Sequence, residues 1–259
     1  MRTPKKIVWF SCGAPSAVCG HLAIQEYGKD DVEICYCDTL AYEHPDNRRF
    51  MKDVENWLGV PIKILKSEKY ADIYDVFDKT GWLVGTNGAR CTTELKKVVR
   101  ENYQVVGDVH IFGLTLEEGG RIERMKDHHF DIELDFILQR KGITKDKCME
   151  IVIGAGIELP AMYKLGYNNN NCIGCVKGGM GYWNKIRKDF PDAFKKMAEQ
   201  ERKMGVSCLK EPDGFEIIDG EPVQKYKPLF LDELNPKRGD HKTEHSFECG
   251  VMCQIKLNI

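Results

Sequence analysis

Three groups of residues in this chain of 259 residues carry chemistry, and the first is the small-residue run Ser11-Cys12-Gly13-Ala14-Pro15-Ser16, which follows the apolar β-formers Lys6-Ile7-Val8-Trp9-Phe10. A turn of this kind between a strand and a helix presents backbone N–H groups and the positive helix end to an anion, so a phosphate or sulfate fits there. Ser11 and Ser16 add hydroxyls. The competing reading is steric, since many strand-to-helix turns hold small residues only to turn. The second group is Cys172-Ile173-Gly174-Cys175, together with Cys91. A C-x-x-C turn can place two thiolates on one metal or cluster, and a third cysteine about eighty positions away can be brought in by folding; soft thiolates suit iron–sulfur or zinc. Unlinked buried cysteines are the alternative, although the Asn and Gly neighbours of the pair make a poor apolar core. The third group is Cys249 in His245-Ser246-Phe247-Glu248-Cys249-Gly250, where Lys242 and His245 supply positive charge that favours a thiolate. A buried tail cysteine is the bland alternative.

These groups need elements to hold them. Val18, Leu22, Ala23 and Ile24 are spaced for a helix from Ser16 that stops at Gly28, and Val32–Cys37 reads as the next strand, making a βαβ unit. A second helix is expected over Asn47–Leu58, between Pro45 and Gly59, then a strand over Pro61–Leu65. Val109–Leu114 reads as another core strand, and Lys145–Ala155 and Tyr182–Lys203 as helices. The alternation predicts an α/β fold, a Rossmann-like parallel sheet with helices on both faces. Residues 1–205 are expected to form this domain, with the cysteine cluster as an insert. Residues 206–259 are expected to be a largely irregular extension carrying Cys249, because Glu211–Thr243 is rich in Pro, Gly, Asp and Lys.

The loop Ser11–Ser16 resembles the Ser-Gly-Gly-x-Asp-Ser loop (PP-loop) of the adenine-nucleotide alpha hydrolase superfamily. Within that superfamily the chain resembles the phosphoadenosine phosphosulfate (PAPS) and adenosine phosphosulfate (APS) reductases. Asp38-Thr39 with Glu43-His44-Pro45-Asp46 is similar to their Asp-Thr-Gly-x-Glu-x-Pro-Glu stretch, and Gly113-Leu114-Thr115 with Glu117, Glu118 and Arg121 to their Gly-Ile-Arg-x-Asp-Glu-Ser-x-x-Arg segment. Thr115 stands where the family usually has Arg. The resemblance implies that Ser11, Gly13, Ser16, Asp38, Thr39, Gly113 and Arg121 bind the nucleotide. It implies that Cys91, Cys172 and Cys175 ligate a 4Fe-4S cluster. Cys249 would then attack the sulfur of the bound phosphosulfate, giving a thiosulfonate that a second thiol, such as thioredoxin or glutathione, reduces. Cys253 is placed to resolve that intermediate or to bind metal.

The departures from the pattern shape the expectation. Cys12 replaces a glycine, and Pro15 replaces the aspartate associated with magnesium pyrophosphate in ATP-cleaving relatives. Proline neither holds a metal nor donates a hydrogen bond, which favours a metal-free nucleotide site over ATP-driven adenylation. Arg90 stands where the APS reductases have the first member of a Cys-Cys pair, and Met252 where the family usually has His. A cluster held by three cysteines leaves an iron open, as in the cluster-dependent tRNA thiolases of the same superfamily; Cys208 or Cys253 is the alternative fourth ligand. Three functions therefore stand. They are a phosphosulfate-reductase-like oxidoreductase, an iron–sulfur-dependent sulfurtransferase thiolating tRNA or another nucleotide, and a noncatalytic nucleotide-binding protein.

Bulk properties narrow the classes. With 42% hydrophobic and 30% charged residues the composition is that of a globular protein. No apolar stretch approaches the roughly 20 residues that span a bilayer. The apolar run after the basic Met1–Lys6 stops at Gly13, too short for a signal-peptide core, so a cytoplasmic location is expected. Eleven cysteines without an export signal point to metal or thiol chemistry rather than disulfides. A formal net charge of -2 argues against a uniformly basic surface, while the basic stretch Lys177–Lys188 keeps RNA as a candidate partner. Lys96, Lys97 and Arg100 are candidate anion contacts, and Tyr182 and Trp183 are read as core or as a nucleotide shelf. His128-His129 is a poor metal pair, because adjacent side chains point apart.

Overall fold

The apolar segments assemble into a five-stranded sheet in the computed structural model, which describes residues 2–85, 88–218 and 220–244. The strands are β1 (Lys6–Trp9), β2 (Val32–Cys37), β3 (Ile62–Leu65), β4 (Val109–Phe112) and β5 (Glu133–Asp135). Their order is β3-β2-β1-β4-β5, and every neighbouring pair is parallel. Parallel strands bury both faces, so they read as nearly continuous apolar runs. Alternate residues serve opposite layers here. Val8, Ile34, Tyr36 and Ile111 pack beneath helices α1 (Ala14–Tyr27), α2 (Asn47–Leu58) and α4 (Lys145–Gly154), whereas Ile7, Trp9, Cys35, Cys37 and Phe112 pack with Val99, Ile122 and Met125 on the other face. Ile122 and Met125 belong to α3 (Gly119–His128).

The expected α/β fold is the one found. Helix α2 spans the expected residues, and its C-cap Gly59 is left-handed with φ 65°, the conformation that favours glycine after a helix. Helix α1 begins two residues before the expected Ser16, with Pro15 in its first turn, where a missing N–H costs nothing. Its buried face is made of small residues, and a Cβ on Gly20 would lie 3.2 Å from Leu58 and 3.3 Å from Ile34, so the helix sits close to the sheet.

The chain divides into two compact units, a partition different from the expected 1–205 and 206–259. The first, built on the sheet, contains residues up to Lys69 and Thr92–Asn171; the second contains Tyr70–Cys91 and the described chain from Cys172 onward. In the second unit the helix expected over Tyr182–Lys203 is two helices, α5 (Met180–Asp189) and α6 (Pro191–Met204). Pro191 disfavours helical backbone at the residue before it, and Phe190 accordingly has φ -141° and ψ 65°. The segment expected to be irregular contains an antiparallel hairpin of Leu209–Ile218 with Glu221–Leu229. Its Pro and Gly residues give a register shift between Pro212 and Phe215 without abolishing the pairing. Among the described residues no helix is long and apolar enough to cross a membrane.

Candidate functional site

In the first unit the loop after β1 occupies the place where the order of strands reverses: β2 and β3 lie to one side of β1, β4 and β5 to the other. Open parallel sheets bind ligands at the carboxyl ends of strands at such a point. The first intrahelical bond of α1 runs from Ala17 N to the Gly13 carbonyl. The N–H groups of Gly13, Ala14 and Ser16 therefore precede the first intrahelical donor, Ala17 N, and are the donors a bound anion would use. Ser16 Oγ accepts from Ser11 N at 3.1 Å and donates to the Gly13 carbonyl at 2.9 Å, so this hydroxyl shapes the loop itself. Gly113, directly after β4, lies against it. A Cβ there would be 2.8 Å from Ser16 Cα and 2.9 Å from Ser16 N, a clash that only glycine avoids. Ser11, Gly13, Ser16 and Gly113 are thus brought together at one end of the sheet.

Cys12 is the one described non-glycine residue with positive φ, at 61°. This explains why a glycine belongs at this position in the pattern the loop resembles: a left-handed L-residue costs about 1–2 kcal/mol. Its side chain is buried, and its Sγ lies 3.5 Å from the Asn47 carbonyl. Burial, reinforced by Glu43, pushes the thiol well above its usual range, while the positive charges of Lys96 and Arg49 act on it in the opposite sense. The thiol is therefore protonated at neutral pH, and Cys12 packs rather than reacts.

A buried polar network fixes the loop from below. Thr39 Oγ1 donates to Glu43 Oε1 at 2.6 Å, and Asn47 Nδ2 to Glu43 Oε2 at 2.7 Å. Asn170 Nδ2 lies 2.8 Å from Asn47 Oδ1 and 2.6 Å from the Cys12 carbonyl, so the last link holds the loop backbone directly. Asn170 Oδ1 is buried and has no hydrogen-bond partner among the described residues. Asn47 and Asn170 were not singled out by the sequence; Asn170 sits in the asparagine run 168–171, which reads simply as a turn. Tyr163 was missed as well, and its hydroxyl lies 3.1 Å from where a Gly13 Cβ would be.

The other expected nucleotide residues have defined partners. Thr39 is absorbed into the network, Asp38 pairs with Lys66 at 3.3 Å, and Arg121 pairs with Glu118 at 2.8 Å. Glu118 closes a capping box with Thr115 at the turn Leu116–Glu118. Of the basic trio, Lys96 is the one whose charge reaches Cys12; it lies in a π-helical stretch, Thr93–Lys97, an irregularity frequent at functional sites. Arg100 is buried beside Glu101, and Lys97 lies 3.9 Å from the same carboxylate.

Cys91, Cys172 and Cys175 all belong to the second unit. The C-x-x-C turn is clasped at both ends by one hydroxyl: Tyr182 Oη accepts from Cys175 N at 2.9 Å and donates to the Cys172 carbonyl at 3.1 Å. Gly174 within the turn has φ 74°, and Trp183 packs against it. Both aromatics are therefore core, since Tyr182 and Trp183 are buried in this unit. Helix α5, which carries them, is capped by Glu244, whose carboxylate accepts from Gly181 N at 2.5 Å and Tyr182 N at 2.9 Å. Among the described residues, no group of three or more His, Cys, Asp and Glu side chains is arranged to hold a metal ion. Cys249, Cys253, Met252 and His245 lie outside the described residues.

No family model matches the chain. An uncharacterized protein of Methanocaldococcus jannaschii is 25% identical over 195 residues, which cover 73% of this chain. The match spans 40% of that relative's length.

Proposed function

We propose that the chain binds an adenine nucleotide on the loop Ser11–Ser16 and acts as a phosphosulfate-reductase-like enzyme. The observation that carries this reading is the close approach of Gly113 to Ser16, which sets two strand ends around a helix N-terminus where the strand order reverses. Lys96 adds a positive charge within reach of the loop. Pro15 removes a carboxylate that would hold magnesium, so the ligand is bound through N–H groups and Lys96 without a metal.

In the proposed reaction the Cys249 thiolate attacks the sulfur of the nucleotide-bound sulfate. A sulfur–sulfur bond forms, the sulfur–oxygen bond to the phosphate breaks, and the nucleotide leaves with that electron pair on its phosphate oxygen. A dithiol such as thioredoxin, or two glutathione molecules, then reduces the enzyme thiosulfonate, releasing sulfite and becoming oxidised to a disulfide while Cys249 is restored as thiol.

An iron–sulfur cluster belongs to this reading through the resemblance of Cys91, Cys172 and Cys175 to the reductases' cluster cysteines; the three thiols share a unit, but among the described residues they are not gathered into a metal-holding group. When bound, a cluster would supply a thiolate-anchored centre whose potential is tuned by hydrogen bonds and burial. Tyr182 and Gly174 fix the turn that presents two of the ligands.

The test is sulfite formation from PAPS and from APS with thioredoxin or glutathione, by anaerobically purified full-length chain. The expected result is sulfite from one of them, abolished in Cys249→Ser while nucleotide binding persists. Nucleotide binding without sulfite from either substrate would leave a noncatalytic binding protein instead.

A further inference from the structure

The polar network beneath the loop Ser11–Ser16 has a direction, and at its far end one atom is left over. The Glu43 carboxylate accepts from Thr39 Oγ1 at 2.6 Å and from Asn47 Nδ2 at 2.7 Å. Because Thr39 spends its hydroxyl proton on Glu43, Tyr36 Oη is the donor in the 3.1 Å contact between the two hydroxyls. Asn47, with Nδ2 turned toward Glu43, presents Oδ1 to Asn170, which therefore donates through its own Nδ2 at 2.8 Å. The same Nδ2 donates to the Cys12 carbonyl at 2.6 Å. Of the two orientations open to a side-chain amide, the network thus selects one: the Asn170 nitrogen is fully used, and Oδ1 has no donor among the described residues.

Asn170 is only 6% exposed, so this oxygen is a buried acceptor, a group that folded chains leave unmet at a cost and seldom without a reason. Its place is built as well. Lys145, at the start of α4, donates through Nζ to the Asn168 carbonyl at 2.5 Å and also to Asn169 Oδ1, which anchors the backbone that carries Asn170. The nitrogen and oxygen of one amide are roughly 2.3 Å apart, which puts Oδ1 within about 5 Å of the Cys12 carbonyl oxygen. That carbonyl shares its peptide bond with the Gly13 N–H, one of the donors available to an anion at the loop. Asn170, Cys12 and Gly13 all belong to the first unit.

We infer that Asn170 Oδ1 accepts a hydrogen bond from a ribose hydroxyl of the nucleotide whose phosphate or sulfate the loop holds, which makes Asn170 a specificity-determining residue of that site. A phosphate or sulfate dianion brings acceptors only, so it cannot satisfy this oxygen and is repelled by it; the partner has to be a neutral O–H or N–H. Among the donors of an adenine nucleotide the ribose hydroxyls lie nearest the 5′-phosphate, in keeping with the short path from Oδ1 to the Gly13 N–H, whereas the base amine lies beyond the sugar. A ligand without that hydroxyl leaves the buried acceptor unpaired, the kind of mismatch that a site rejects more strongly than the loss of an apolar contact. The inference rests on the nucleotide reading of the loop and deepens it by naming the part of the ligand that is read; it needs neither the thiol chemistry nor a cluster.

The experiment is calorimetric titration of the full-length wild type and of Asn170→Ala with AMP, 2′-deoxy-AMP, 3′-deoxy-AMP and 2′,3′-dideoxy-AMP. Wild type is expected to bind the dideoxy nucleotide about fivefold or more weakly than AMP, the lower end of what an unpaired buried acceptor costs. Whichever monodeoxy nucleotide reproduces that loss names the hydroxyl, and either supports the inference. In Asn170→Ala the acceptor is gone, so AMP and dideoxy-AMP should differ by less than about twofold. If Asn170 only shapes the loop, the variant weakens both nucleotides by the same factor and keeps their ratio, and that result would overturn the inference. Because Asn170→Ala is exposed to misfolding, the wild-type comparison also decides by itself. AMP and dideoxy-AMP bound equally well would mean that a buried water alone meets the acceptor, overturning the inference while the nucleotide reading stands. No binding of any of the four would overturn the nucleotide reading and this inference with it.

Discussion

At the scale of single residues, burial decides which groups with chemical potential can react. Cys12 and Cys148 are cysteines whose thiols burial pushes up, Cys148 to about 12, so they serve packing. His110 shows the same force acting on a base. It is buried in β4, where Trp9 Nε1 donates to its Nδ1 at 3.0 Å, and burial, with Arg100 adding to it, lowers its pKa to about 4. His129 is lowered to about 4 by the same two causes. An unfolded histidine titrates near 6.5, so between about pH 6.5 and 4 the unfolded chain binds protons that the native chain refuses. Stability is therefore intact above about pH 6.5 and declines as the pH falls. Between pH 7.5 and 5.0 each histidine is expected to cost about 2 kcal/mol. Urea unfolding at the two pH values should show this loss, and His110→Gln should remove roughly half of it; an identical loss in the variant would show that His110 titrates normally.

At the scale of elements, the loop Ser11–Ser16 depends on contacts that local sequence does not reveal. Asn170 joins the Cys12 carbonyl to Asn47, a partner 123 positions away. Asn170→Ala leaves two buried acceptors without that donor, at a cost of about 1–3 kcal/mol. It is expected to lower the urea midpoint and to weaken nucleotide binding several-fold, both measurable on one preparation; unchanged affinity would mean the loop keeps its shape without the network. The regular elements were far more legible. Asn47–Leu58 was readable at both ends because Pro45 and Gly59 punctuate a strongly periodic run, and β2 because five apolar or β-forming residues, broken only by Glu33, lie between turns. The hairpin Leu209–Ile218 with Glu221–Leu229 was not readable: its residues Phe215, Ile217, Val223 and Tyr226 are exposed, so no buried face imposed an alternation on the sequence.

At the scale of the whole molecule, the sequence supports the sheet and the loop at its centre but not the partition of the chain. The second unit combines Tyr70–Cys91 with the described chain from Cys172 onward. No local pattern announces that segments so far apart share a core, whereas the strand–loop–helix at Lys6–Tyr27 is contiguous and visible in composition alone. The proposed sites follow the same division, with the loop Ser11–Ser16 in the first unit and Cys91, Cys172 and Cys175 in the second. The central claim is that the loop cradles the phosphate or sulfate of an adenine nucleotide without a metal. Calorimetric titration of the full-length chain with APS, PAPS and AMP, with and without magnesium, tests it most directly. The account predicts binding that magnesium leaves unchanged and that falls at least tenfold in Gly113→Ala, whose added Cβ would press on Ser16. Absence of binding to all three nucleotides, or binding that Gly113→Ala leaves untouched, would contradict it.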